Sequence, residues 1–378
     1  MNWNFFKELL CIDSTSGKER KVAQWLLTQL EAPVVEPMEV GDGTLNLFLK
    51  WGTPKVVFCT HMDTVPPYIA PEFPEEILSR GTSFASLTPA PPTVCSVRGA
   101  DGRPAGPSPY PCAGVHMSSG ENPLRITGRG SCDAKGQLFA MYMACKQLEA
   151  EACTDFGLLL LAGEETGSWG AKAFSKTHFE APFLIVGEPT ENKMVSASKG
   201  TKSYDLTFRG EAFHSGYPQY GVSAVDLFNE FYNKLKAKDF GEDPELGTTT
   251  WNVGLLHSDN PQNILSPELT CRLYFRTTFV NDQAVQDWMQ AMGDNPAGGL
   301  TVAARGGDAP ARYVTLPGFP SGPVAFGSDA PHLTGFGHKI ICGPGTIRVA
   351  HRSDEQVLAS ELETAVEQYV NMYKALTK

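Results

Sequence analysis

The sequence predicts an α/β protein with a mostly parallel central sheet, interrupted by an inserted α+β domain. Three observations carry this. Short apolar runs alternate with helical patterns along the first half of the chain, as parallel strands and crossover helices do. From about Met194 the rhythm changes, with an alternation of period two over Ser203–Phe208. Near Lys339 the first rhythm returns. The expected division is therefore 1–193, 194–298 and 299–378, the outer two segments forming one domain.

Taken in order, Trp3, Phe6 and Leu10 share one helical face, and Val22, Trp25, Leu26 and Leu30 share another. Ser14 to Gly17 separates these two helices. Lys55–Thr60 is an apolar run of strand length, and His61 follows it. Ala134–Leu148 reads as helix. Phe156–Ala162 is a second strand, followed by Gly-Glu-Glu, and Phe183–Val186 is a third, followed by Gly-Glu-Pro. Ser203–Phe208 alternates as a half-exposed strand does. A helix over Val222–Lys238, strands at Trp251–Leu256 and Thr270–Thr278, and a helix over Gln283–Met292 complete a β-α-β-β-α insert. Lys339–Cys342 resumes the parallel pattern, and a last helix runs from about Asp354 to Tyr373.

Two stretches fit neither pattern. Thr88–Pro123 holds eight Pro and five Gly in 36 residues, with no net charge and no period. It is an inserted surface loop, a mobile segment, or sequence foreign to the fold, since long structureless loops are uncommon in compact domains. Gly293–Gly322 holds seven Gly and four Pro in 30 residues and raises the same question.

Composition narrows the function classes. The 378 residues carry 31 Lys and Arg against 42 Asp and Glu, a formal charge of −11. That balance argues against a nucleic-acid partner, because neutralising phosphates needs surplus cations. No run approaches the roughly 20 apolar residues of a membrane span, and the N-terminal residues are too polar for a signal peptide. Nine cysteines are scattered singly, without a Cys-x-x-Cys pair, so a reducing cytoplasm is the expected location.

Five motifs carry the chemistry. In Thr60-His-Met-Asp-Thr-Val65, His61 ends an apolar strand and Asp63 stands where it can hold the second ring nitrogen, freeing the first for a metal. A hydrogen-bonded histidine capping a strand is the competing reading. In Gly128-Arg-Gly-Ser-Cys-Asp-Ala-Lys-Gly136, Asp133 begins a helix and taken alone reads as an N-cap. In Gly163-Glu-Glu-Thr-Gly167, adjacent glutamates end a strand; one suits a ligand and the other a proton acceptor, with a solvated acidic turn as the alternative. Glu188 in Gly187-Glu-Pro-Thr190 and His351 in Ala350-His-Arg-Ser-Asp-Glu355 complete the set. Strand ends of this kind line the ligand crevice of an open α/β sheet. Two histidines with Asp133, Glu165 and Glu188 suit two divalent ions, typically zinc, with one carboxylate bridging.

In order and wording these motifs resemble the M20 family of zinc amidohydrolases and peptidases, over residues 5–75 and 126–375. Within it, Ser328-Asp-Ala-Pro331 and Cys342–His351 are most similar to the acetylornithine deacetylase and succinyl-diaminopimelate desuccinylase branch. The resemblance implies a zinc-exopeptidase-like catalytic domain and a lid that forms a homodimer. It implies two Zn²⁺ per subunit, replaceable by Co²⁺ or Mn²⁺. His61 and Glu188 would hold one ion, Glu165 and His351 the other, and Asp133 would bridge. Asp63 would orient His61, and Glu164 would be the general base. His214, in Gly210-Glu-Ala-Phe-His-Ser-Gly216, would serve the active site of the partner subunit, although by itself it reads as a surface histidine. Asn263 and Arg276 are weaker candidates for a substrate carboxylate, and the turn holding Gly343, Gly345 and Thr346 offers backbone N–H groups to an anion. The implied activity is hydrolysis of a small N-acyl amino acid, foremost N-acetylornithine. A desuccinylase, a di- or tripeptidase, and a non-catalytic metal-binding relative are the alternatives. No ligand or base is missing, which speaks against the last.

Overall fold

Parallel pairing of apolar strands sets the frame that carries the motifs. The structure, a computed structural model, describes residues 1–41, 43–79, 123–293 and 299–378. Thr88–Pro123 lies outside these residues except for Pro123. The chain divides into two units: Met1–Ser196 with Tyr313–Gly322 and Ser328–Lys378, and Ala197–Arg312 with Pro323–Gly327.

The first unit is built on a six-stranded mixed sheet. Its order is Val34–Gly41, Thr44–Trp51, Phe156–Leu161, Val56–His61, Ala181–Val186, Phe336–Ile341. The last four strands of that order run parallel to one another. Phe156–Leu161 and Val56–His61 are buried along their whole length, which is why they read as continuous apolar runs. The first two strands form an antiparallel hairpin, and Thr44–Trp51 pairs antiparallel with Phe156–Leu161. The outermost strand is largely exposed and contains Pro37, as suits a sheet edge.

Register places the motifs. His61 lies opposite Leu161 and Val186 opposite Ile341. The residues that follow these strands, including Glu164, Glu165, Glu188 and Gly343, therefore emerge at one edge of the sheet, at the carboxyl ends.

Lys135–Ala150 packs along Ala359–Leu376 and is buried on nearly every side. Trp3–Cys11 closes over it, with the Phe6 and Phe139 rings stacked 4.6 Å apart. Asn2 caps that first helix by accepting the Phe5 N–H. The last helix begins at Ala359, later than the Asp354 that its periodicity suggests. Gln356–Leu358 instead pairs antiparallel with Arg125–Thr127, and the Glu361 carboxylate accepts the Leu358 N–H at the helix start.

The second unit is a four-stranded antiparallel sheet in the order Thr250–His257, Glu268–Thr277, Gly200–Arg209, Leu300–Gly306. Ala224–Ala237 and Asp282–Gly293 supply Phe231, Leu235, Val285 and Met289 to a core shared with Leu206, Phe208, Leu273 and Phe275. Glu268–Thr277 alternates buried and half-buried residues along most of its length. The strand Leu300–Gly306 answers the question left open for Gly293–Gly322 and bears on the extent of this unit. Part of Gly293–Gly322 is ordered sheet, and this unit runs on past residue 298 to Arg312. Leu300 and Val302 pair with Phe208 and Leu206, but the Ala and Gly around them mask the alternation.

Candidate metal centre and catalytic site

His61 is held from both ring nitrogens. Its Nδ1 lies 3.0 Å from the Asp63 carbonyl oxygen and 3.4 Å from Oδ1 of the same residue. A carbonyl only accepts, so Nδ1 carries a proton, and Nε2 is the nitrogen that a metal would take once its own proton is lost. That nitrogen faces Asp133 Oδ1 at 3.1 Å. The other oxygen of Asp133 lies 3.3 Å from His351 Nε2, which is also 3.2 Å from Glu165 Oε1. Asp133 thus stands between the two histidines, as a bridge requires. Ligand atoms of His61, Asp133 and Glu165 all fall within 4.8 Å of one another.

Local backbone explains how these groups arrive. Gly163, at φ +68°, turns the chain out of its strand, and a Cβ there would meet the Trp169 ring at 2.9 Å. The Asp63 carboxylate caps that turn by accepting the N–H groups of Glu164 (3.0 Å) and Glu165 (3.2 Å) and the Ser16 hydroxyl (2.9 Å). Asp63 therefore orients the two glutamates as well as His61. Glu188 is fixed through Gly187, whose N–H donates to the Cys59 carbonyl and whose carbonyl accepts from Thr60 Oγ1. His351 sits at φ +65°, an uncommon conformation for a side-chain-bearing residue and one that concentrates at functional sites.

Electrostatics separate the roles. Burial alone would lower the His61 pKa, but hydrogen bonds to Asp133 and Asp63 hold it well above the ordinary histidine value. Hydrogen bonds to Asp133 and Glu165 push His351 up to about 10. Burial tends to raise Asp133, yet the two histidines keep its carboxyl below the usual range. Burial, reinforced by neighbouring acids, drives Glu164 and Glu188 well above the usual carboxylate range and raises Glu165. Asp329, part of Ser328-Asp-Ala-Pro331 but given no role from sequence, is pushed up to about 6 by burial. Its Oδ1 has no hydrogen-bond partner.

This donor set fits divalent metal. Six acids, Asp63, Asp133, Glu164, Glu165, Glu188 and Asp329, crowd around His61 and His351. Two imidazoles do not compensate six carboxylates, four of them buried, whereas paired divalent ions would offset most of that charge. Imidazole and carboxylate are the ligands such ions take.

The remaining expected contacts are placed as follows. The Gly343 N–H donates to Thr190 Oγ1 at 2.9 Å, so it is engaged within the protein. The Gly345 carbonyl accepts the Glu191 N–H, and Thr346 Oγ1 donates to Glu191 Oε1. In the second unit His214 is exposed, and its Nδ1 accepts the Gly216 N–H at 3.1 Å. The Asn263 carbonyl accepts the Ser215 N–H, which brings the His214 and Asn263 loops together. The Arg276 guanidinium lies 4.9 Å above the Tyr274 ring.

The fold and site define a metal-dependent hydrolase of the α/β class. The chain belongs to Peptidase family M20/M25/M40, whose family model matches residues 114–375. A probable carboxypeptidase of Aspergillus terreus is 28% identical over 98% of this chain and 86% of its own length. A peptidase M20 domain-containing protein of Schizosaccharomyces pombe is 29% identical over 97% and 82%. Among solved structures, a Staphylococcus aureus tripeptidase superposes with TM-score 0.70 at 18% identity, covering 99% of this chain and 97% of that one. An M20 family metallo-carboxypeptidase of Sulfolobus solfataricus does so with TM-score 0.66 at 15% identity, over 99% and 98%. These two likenesses establish the shared fold.

Proposed function

We propose that this chain hydrolyses an amide whose leaving group is the α-amine of an amino acid with a free carboxylate. N-Acetylornithine, N-succinyl amino acids and the carboxy-terminal bond of a short peptide all share that chemistry. The observation that carries the reading is Asp133 standing between His61 and His351, with Glu165 Oε1 3.2 Å from His351 Nε2. Relatives named as probable carboxypeptidases, matched over nearly the whole chain, support the carboxylate-bearing substrate.

In this reading His61 with Glu188 and His351 with Glu165 hold two divalent ions, preferably Zn²⁺, with Asp133 shared. Such ions would polarise the scissile carbonyl and lower the pKa of the attacking water. Glu164 takes a proton from the attacking water as its oxygen adds to the carbonyl carbon. It returns the proton to the amine nitrogen as the C–N bond breaks, so one carboxyl serves as base and then acid. Burial raises its pKa in the metal-free site, which strengthens the carboxylate as a proton acceptor. Arg276, with Lys199 close enough to repel it, offers positive charge for the substrate carboxylate.

The same proposal extends to a cytoplasmic homodimer formed through the second unit, with His214 contributed to the neighbouring copy. Exposed Phe213, Tyr217, Tyr220, Leu255 and Leu256 in that unit support an apolar self-contact. Among the described residues no helix is long and apolar enough to cross a membrane.

The test is a side-by-side panel with added Zn²⁺ or Co²⁺: N-acetylornithine, N-succinyl-diaminopimelate, and short peptides with free or amidated carboxyl ends. Turnover of free-carboxylate substrates is expected, with at least tenfold loss on amidation. No turnover of any amide, or indifference to amidation, overturns the reading. Sedimentation of the same preparations reads the dimer.

A further inference from the structure

We propose that Glu355 is a positioning residue that clamps the Asp133 loop to the His351 segment and thereby sets the geometry of the metal centre. The inference rests on the reading of that centre as a divalent-metal site. Residues 128–134 form turns without regular strand or helix, so their buried N–H groups need partners from elsewhere. Three of them converge on a single carboxylate oxygen. Glu355 Oε1 accepts from Gly130 N (2.9 Å), Cys132 N (3.1 Å) and Asp133 N (3.0 Å). The other oxygen, Oε2, pairs with Arg129 Nη1, and Arg129 Nε donates to the Pro67 carbonyl. The Gly128 N–H donates to the Glu355 main-chain carbonyl at 3.0 Å. Glu355 is 1% exposed and Arg129 2%, so both act out of water.

A carboxylate accepting several backbone N–H groups is a strong, directional anchor. This one spans two segments that each deliver a ligand. Asp133 donates its own N–H to the clamp, and His351 lies four residues before Glu355 in the chain. The Asp133-to-His351 spacing of 3.3 Å is therefore fixed by groups that touch neither side chain. Outer-shell groups of this kind commonly tune metal affinity by about 10- to 100-fold.

The test compares wild type with E355Q and with E355Q/R129M, which also removes the cation left unpaired. Amide hydrogen exchange on metal-free protein reads the clamp directly. Slow exchange at Gly130, Cys132 and Asp133 is expected in wild type, faster by at least tenfold in the variants. Competition with a chromophoric chelator reads Zn²⁺ and Co²⁺ affinity. At least one equivalent should weaken by about 10-fold or more, with kcat falling more than KM changes. Unchanged affinity in a folded variant overturns the proposal even where Tm falls, because a purely structural residue would lower Tm alone. Fast exchange of these amides in wild type also overturns it, whether or not any variant folds. A wild type that takes up no divalent ion overturns the site reading instead, and the exchange result still judges the clamp.

Discussion

Asp63→Asn isolates what one buried carboxylate does for two glutamates. The side chain is 0% exposed and nearly isosteric with its replacement, so packing is conserved. Its four contacts divide by oxygen. Oδ1 receives the Glu164 N–H and faces His61 Nδ1, while Oδ2 receives the Glu165 N–H and the Ser16 hydroxyl. An amide must put NH₂ on one side. Placed at Oδ1 it opposes two donors; placed at Oδ2 it opposes one, because the serine hydroxyl can rotate and accept. The second arrangement wins and leaves the Glu165 N–H without an acceptor. A buried donor left unmade costs about 1–3 kcal/mol. Urea denaturation of metal-free protein should show a loss of that size. Steady-state kinetics of the metal-loaded enzyme should show a fall in kcat, since the turn carrying Glu164 and Glu165 loses a fixed point. A variant within about 0.5 kcal/mol of wild type, the usual range for inconsequential substitutions, and with unchanged kcat would refute the argument.

Two further outcomes follow from the same geometry. Glu164→Gln keeps the shape of the site but removes the group that accepts and returns the proton, so kcat should drop by about 10²–10⁴-fold with two ions still bound. Turnover within tenfold of wild type, with metal content checked by atomic absorption, would remove Glu164 from that role. Thiol labelling should split the described cysteines. Cys11 is exposed, whereas burial pushes the Cys342 thiol up to about 12 and Cys145 is wholly enclosed. At pH 8 iodoacetamide should alkylate Cys11 in the native protein and reach Cys342 only on unfolding, as read by peptide mass spectrometry. Comparable native rates at both would contradict the packing.

The parts of the fold legible in the sequence are those where one side-chain property repeats. Val56–His61 and Phe156–Leu161 are buried on both faces and read as unbroken apolar runs. The Val34–Gly41 edge strand was not legible, because it is mostly exposed, polar in part and carries Pro37. Leu300–Gly306 was hidden similarly, its two inward residues embedded among Ala and Gly. Gln356–Leu358 was absorbed into the helix that follows, since a three-residue pairing leaves no period.

The site divides along a different line. Residues able to ligate a metal are of few types, and His61, Glu165 and Glu188 stand at strand ends, so these candidates announce themselves locally. The groups that aim them do not. Asp63 was readable as a partner of His61, two residues away, but its bonds to Glu164 and Glu165 cross about a hundred positions. Glu355 reaches Asp133 across 222 positions and grips main-chain N–H groups, which every residue except proline possesses. No side-chain pattern in the Gly128–Asp133 loop encodes that contact, and the wording of the His351 motif ends on Glu355 without revealing its direction. Chemistry that selects residue types is therefore visible in one sequence, while chemistry that selects positions through the backbone becomes visible only once the strands are in register.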